Sequence, residues 1–325
     1  MHITYAKKYS VNHAKWESYK LSEDFHFGVK IASIFQNTFN GYRAEVWQFK
    51  FSDEEQIYIP LVRIASRQMI SNSLPYNWNG CLYSSSDHKI ARKIDLLSKK
   101  IGSNILTMSF ASPPYEQLDL PKLFDRHMNI KCLSVKSYYT DLSAGDFEKI
   151  FQTDFSSKTR NQCRKALKSG IDFKKSKDEG DILAYFEHYM QNVSKWRKDY
   201  NSYPLNFFKE LIHLNKVDFW IAKKDEAFLG GIIILKYEKW VYYWAGVVNR
   251  EFSKLSANNG LLYTALQHYT QNHYKIFDYG PSEGLESVEK FKAGFGPKVR
   301  RHFMLTYRSN FNKYIIHPIN SILGR

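Results

Sequence analysis

The sequence predicts an α/β (α+β) chain of two tandem units, each a mixed and mainly antiparallel sheet flanked by helices. Three observations carry that expectation. Between Phe219 and Gly296, three strand-like runs precede a helix pattern and a short final strand; residues 45–110 repeat hairpin, helix and strand in the same order; and no Pro-, Gly- or Ser-rich linker parts the two stretches. The 325 residues suffice for two modest domains, and 43% apolar residues is ordinary for a folded core.

In the first half, EVWQFKF (Glu45–Phe51), the turn SDEE and QIYIPLVRIA (Gln56–Ala65) read as a hairpin. Ser86 and Asp87 offer a cap to KIARKIDLLSKKIG, in which Ile90, Ile94, Leu97 and Ile101 share one helical face, and NILTMSF then reads as a strand ending at ASPPY. The boundary is placed after Leu142, between the aromatic strand CLSVKSYYTDL and the helix start SAGDFEKIF, giving units 1–142 and 143–325. In the second half, SSKTRNQCRKALKSG predicts a basic helix. FWIAKKDEAFLGGIIIL predicts two antiparallel strands joined by the polar turn KKDE, and WVYYWAGV a third. Leu261, Leu262, Ala265, Leu266 and Tyr269 recur at helical spacing behind Asn258 and Asn259, and KIFDYG is a short strand that breaks at Gly280 and Pro281.

Lys and Arg number 47 against 32 Asp and Glu, a formal net charge of +15. That excess fits a polyanionic substrate, a nucleic acid or an anionic membrane surface, and equally a generally basic solvated surface. Cys81, Cys132 and Cys163 lie far apart with no CxxC or Cys/His cluster, so neither a disulfide framework nor a zinc site is expected and a reducing cytoplasm is the default. The start MHITYAKKYSVNHAKW has no signal-peptide apolar core, and the longest apolar run, LGGIIIL, is strand-sized, so no transmembrane segment is expected. The expectation is a cytoplasmic protein, with the inner face of the membrane as a place of work. No Walker loop, GxSxG elbow, HExxH helix or dinucleotide fingerprint occurs, and the histidines form no ligand-spaced group; no metal is expected.

Several residues invite chemistry. Arg160 and Arg164 lie four apart on one helix face, a spacing suited to holding phosphate oxygens or to a solvated face. Asn258 and Asn259 read as a polar helix start that receives a donor, or as plain caps. In WVYYWAG, Tyr242 and Tyr243 point to opposite faces; strand N–H groups there suit an oxyanion, and a tyrosine such as Tyr243 suits protonation of a leaving group, although strand aromatics mostly build cores. Asp278 sits in an otherwise apolar strand, where a carboxylate is costly unless paired; it reads as a base, an anchor for an ammonium, or the partner of a turn or Arg. Glu283, in the loop PSEGLES, is the second carboxylate. Lys292, framed by Phe291 and Phe295, is a cation in an apolar setting, with Lys290 the alternative.

LSANNGLLYTAL, FDYGPSEG and FKAGFG, with the basic helix SSKTRNQCRKALKSGIDF and the FEHYMQNVSKWRKDYNSYPLNFFKELI segment, resemble the FemABX-like and BioF2-like branch of the GNAT superfamily. The likeness is good from Tyr139 to Tyr307 and holds in outline before it. It implies two GNAT-like units, the first degenerate, and transfer of an acyl or aminoacyl group onto an amine of a cell-envelope glycan precursor or amino acid. It also implies a substrate-phosphate contact at Arg160 and a donor-side or phosphate-side role for Lys292. An acyl-CoA enzyme of the ordinary GNAT kind carries a glycine-rich R/Q-x-x-G-x-G/A loop; here REFSKLSANNG stands in its place, with Gly260 alone and late. Acyl-CoA remains the leading donor, aminoacyl-tRNA in peptidoglycan cross-bridge chemistry the alternative, and a non-catalytic envelope-assembly module the third reading.

Overall fold

The computed structural model of the chain describes residues 1–13, 23–54, 56–64, 70–71, 96–97, 99–100, 107–111, 129–193, 202–282, 285–296 and 298–308. Most of the helix expected around Ile90–Ile101 and the loop residue Glu283 lie outside them; residues 96–97 and 99–100 are helical. The chain forms two compact units, Met1–Val135 with His302–Arg325, and Lys136–Arg301.

The first stretch contains β1 (Ile3–Ser10), α1 (Glu23–Thr38), β2 (Tyr42–Phe51), β3 (Gln56–Ile64), β4 (Ile70–Ser71) and β5 (Thr107–Ala111). Then follow β6 (Ile130–Asp141), α2 (Phe147–Thr153), α3 (Ser157–Lys168), β7 (Asp172–Lys175), α4 (Glu179–Val193), α5 (Leu205–Ile212), β8 (Val217–Lys224), β9 (Ala227–Tyr237) and β10 (Trp240–Val248). A 3₁₀ turn (Arg250–Leu255), α6 (Ala257–Gln271), β11 (Ile276–Pro281), α7 (Glu286–Ala293) and β12 (Lys298–Arg308) complete the chain.

One strand scheme is used twice. In the first unit the order is β1-β2-β3-β4-β5-β12, and in the second β7-β8-β9-β10-β11-β6. Within each, one neighbouring pair is parallel, β4 with β5 and β10 with β11, and the other registered pairs are antiparallel. The closing strands are exchanged. β6 follows β5 in the chain yet pairs with β11, and β12 follows β11 yet pairs with β5 through Met304–Arg308. This exchange is why the units part inside β6, between Val135 and Lys136, and again at Arg301, whereas the sequence places a single division after Leu142.

The hairpin expected at KKDE forms around Asp225 and Glu226, both at positive φ (47° and 62°), and β8 pairs with β9 along its whole length on either side of that turn. Two non-glycine residues in the left-handed region are strained, and the paired strands hold them there. Helix α6 buries Leu261, Leu262, Ala265, Leu266 and Tyr269 against Ile232, Ile234, Val241 and Phe277, as its spacing predicts. Each of the three leucines contributes roughly 2 kcal/mol by leaving water, and the Ala265 methyl less than half of that. Phe207, Phe208 and Tyr185, from α5 and α4, form a separate buried aromatic group.

Candidate active site

The site is set by where a strand pair opens. β10 runs beside β11 only through Trp240↔Ile276, Val241↔Phe277 and Tyr242↔Asp278, while its pairing with β9 continues to Val248. From Tyr243 onward the β11-facing edge of β10 has no strand partner among the described residues. A bulge at Trp244, which lies between the pairs Tyr243↔Ile234 and Ala245↔Ile233, bends β10 at this point. The Trp244 ring meets Tyr203 and Phe207 at centroid distances of 5.5 and 6.0 Å.

Gly280 is the hub of the opening. It holds φ +67°, and a Cβ there would lie 2.7 Å from the Tyr242 hydroxyl, so only glycine fits both the backbone and the space. The Gly280 amide donates to Asp278 Oδ1 (2.7 Å), which also accepts from Ser137 Oγ (2.6 Å). The Gly280 carbonyl faces Lys292, whose Nζ donates to Pro281 O at 2.8 Å and reaches Gly280 O at 3.4 Å. Lys292 is 7% exposed and its ammonium lies 5.5 Å from the Tyr243 ring centroid. Phe277 and Tyr279 join the core under α6, so Asp278 between them points to the other face of the sheet. Asp278 and Lys292 therefore reach the same turn from two faces.

Helix α6 begins just beyond β10 and has no side-chain cap; its N-cap residue, Ser256, is left-handed (φ 57°, ψ 34°). The N–H groups of Ala257 and Asn258 take no partner among the described residues, and Asn258 Oδ1 is buried without one. Burial pushes the Tyr243 phenol up to about 12, with the neighbouring Asn258 amide pulling slightly the other way, so this hydroxyl stays protonated at neutral pH. Asn259 is differently employed: its amide donates to Gln162 and its carbonyl accepts from Cys163, tying α6 to α3. Gly260 serves the same packing, since a Cβ there would strike Phe173 (2.2 Å) and Ala166 (2.9 Å).

The arginines expected at a phosphate stand elsewhere in the hydrogen-bond scheme. Arg160 Nη1 donates to the carbonyls of Gln152 and Phe155 and Nη2 to Ser157 Oγ, so the guanidinium binds the end of α2; Arg164 lies over the Phe151 ring at 5.3 Å. The structure thus gathers Tyr243, Asn258, Asp278 and Lys292 around one opening and gives Arg160 and Asn259 structural partners. Sequence reasoning passed over Gly280 as more than a strand breaker, and missed Ser137, Tyr242 as its neighbour, and the bulge at Trp244. Among the described residues, no group of three or more His, Cys, Asp and Glu is placed to hold a metal ion, and no helix is long and apolar enough to cross a membrane.

An antiparallel sheet that parts from a parallel neighbour, with a helix starting at the gap, is a GNAT-like architecture. Residues 154–293 match the family model for the acetyltransferase (GNAT) domain, which spans α3 through α7. Among solved structures, FemX aligns over 91% of this chain and 93% of its own at TM-score 0.63 and 12% identity. The C-terminal domain of a protein described as a lysylphosphatidylglycerol synthetase, from Agrobacterium fabrum, aligns over 96% and 95% at TM-score 0.55 and 11% identity. A tandem GNAT protein from the clavulanic acid biosynthesis pathway aligns over 94% and 98% at TM-score 0.51 and 12% identity. At these identities the likeness is one of fold, and it extends over both units. No curated protein matches the chain.

Proposed function

We propose that the Lys136–Arg301 unit is an N-acyltransferase that moves an acyl group from acyl-CoA to an amine of a cell-envelope glycan precursor or an amino acid. The observation that carries this reading is the parting of β10 from β11 after Tyr242 and Asp278, with the uncapped start of α6 directly beyond it. The donor phosphates would lie at the N–H groups of Ala257 and Asn258, where the helix dipole favours negative charge, with the Asn258 side chain as a further contact. When bound, the donor supplies an acyl carbon activated as a thioester. The edge of β10 beyond Tyr242, where its pairing with β11 has ended, offers backbone donors where charge develops on the acyl oxygen. Lys292 holds the end of β11 in place and sets a positive charge beside Tyr243, whose protonated hydroxyl is the donor available to the thiolate leaving group and whose phenolate would then take up the proton lost by the acylated amine. Asp278 acts as a positioning residue: fully buried, it fixes the Gly280 amide. Orientation and fixed dipoles then supply most of the rate.

A second reading, with aminoacyl-tRNA as donor and a phosphate-bearing acceptor, is favoured by REFSKLSANNG, which lacks the glycine loop, and by the use of Gly260 for packing. Calorimetry with a panel of acyl-CoAs, followed by mass spectrometry of mixed amine acceptors, tests the choice. Binding and acyl transfer by the wild type, with transfer falling about a hundredfold in Lys292→Met, supports the first reading. No binding of any acyl-CoA, with transfer from charged tRNA instead, installs the second.

A further inference from the structure

The outer face of α3 carries charge that no carboxylate among the described residues answers. Thr159, Cys163 and Ala166 turn inward. Lys158, Arg164, Lys165 and Lys168 are exposed, and none of the four has a carboxylate partner among the described residues. The helix holds no acidic residue in its first turn, and on the neighbouring α2 Glu148 accepts from Gln152 instead. The helix dipole explains Lys165 and Lys168, which lie in the last turn, but Lys158 sits in the first turn, where a cation is disfavoured. Leu167, three residues after Arg164 and so at the Arg164 margin of this row, is 42% exposed. From Lys158 to Lys168 the row runs about 15 Å along the axis.

We propose that this face of α3 docks on an anionic lipid surface, with Arg164, Lys165 and Lys168 against the headgroups, Lys158 reaching them from one margin and Leu167 entering the interfacial layer at the other. Charge complementarity selects a polyanion, and the exposed leucine selects lipid within that class. A single-stranded nucleic acid would want open aromatic faces; the rings beside α3, Phe151 and Tyr263, are instead set edge-on to each other at 5.0 Å, and Arg164 covers Phe151. Docking here would bring a catalytic unit to amines carried at a membrane, yet it does not depend on the acyl-transfer reading, since vesicle binding is measured without any substrate.

Co-sedimentation of the full chain with phosphatidylglycerol-containing vesicles, beside phosphatidylcholine vesicles alone, tests the proposal. The wild type is expected to bind the anionic vesicles, to ignore the neutral ones, and to release as salt is raised. The triple variant Lys158→Ser, Lys165→Ser, Lys168→Ser is expected to bind about a hundredfold more weakly, at roughly fivefold per cation. Leu167→Ser is expected to lose several-fold and Leu167→Ile to retain binding. Melting curves establish that the variants are folded, as expected for exposed side chains. Absence of wild-type binding to anionic vesicles, equal binding by the triple variant, or binding to RNA but not to vesicles overturns the proposal.

Discussion

Two buried polar clusters in the Lys136–Arg301 unit are built in contrasting ways. Asp218 on β8 accepts from Lys175 (2.8 Å), Lys236 (2.8 Å) and Tyr269 (2.7 Å), and Trp220 donates to the Tyr269 hydroxyl at 3.3 Å. Burial alone would raise the Asp218 carboxyl, but those three donors outweigh it and hold the group below its ordinary range. At the start of α6 the pattern is reversed: two helix N–H groups and Asn258 Oδ1 stay unpartnered among the described residues. A saturated buried network is a structural element, whereas polar groups without a protein partner at a helix start are open to completion by water or by a ligand.

The contrast is broken most forcefully at Asp218. Asp218→Ala strands two lysines and a phenol and is expected to cost about 3 kcal/mol by chemical denaturation. The value sits at the low end for a broken buried pair because Lys175 and Lys236, at 37% and 21% side-chain exposure, can swing toward water. Donor affinity should not change in protein that remains folded. Next comes Gly280→Ala, which forces a left-handed alanine against the Tyr242 hydroxyl and is expected to cost about 2 kcal/mol. Here transfer should fall further than stability predicts, because the end of β11 held by Lys292 moves with Gly280. Equal losses in both would make Gly280 a packing residue alone.

These expectations rest on features that the sequence discloses unevenly. Helix α6 and the turn at Asp225 and Glu226 were legible because their signals are local: apolar spacing in one case, a polar tetrapeptide between β-rich runs in the other. Lys292 could be read as a buried cation from the phenylalanines that frame it. Asp278 could be read as a carboxylate that must find partners, but not which, since Ser137 lies 141 residues away. The exchange of β6 and β12 left no trace, because strand pairing is decided by contacts distant in the chain. Arg160 is legible only in part: its spacing from Arg164 suits a phosphate, but its carbonyl partners at the end of the preceding helix depend on where that helix stops, which local spacing does not reveal.

A smaller effect sharpens the comparison through pH. Burial and then the Lys175 charge hold His268 below its ordinary value of 6.5, with Asp218 pulling up and Lys236 down. The folded state therefore resists protonating His268, and the stability this confers is present above about pH 6.5 and lost as pH falls below it. Asp218, held below its ordinary 3.8, gives a second decline as pH falls further. Melting temperature against pH should show both declines, and His268→Gln should remove the upper one alone. An unchanged upper decline in that variant would place the titrating group elsewhere.

The smallest expected change in stability is also the most discriminating. Asn258→Ala deletes a buried oxygen that has no partner and an amide beside Tyr243; the relief of the first offsets the loss of the second, so stability should move by no more than about 1 kcal/mol. If the start of α6 receives the donor, acetyl-CoA affinity measured by calorimetry should nevertheless fall about tenfold, the worth of one hydrogen bond to a charged group. A loss of stability as large as that of Asp218→Ala, with affinity intact, would show that Asn258 belongs to the saturated kind of cluster. The distinction between the two regions would then have to be drawn from Lys292 and the open edge of β10 instead.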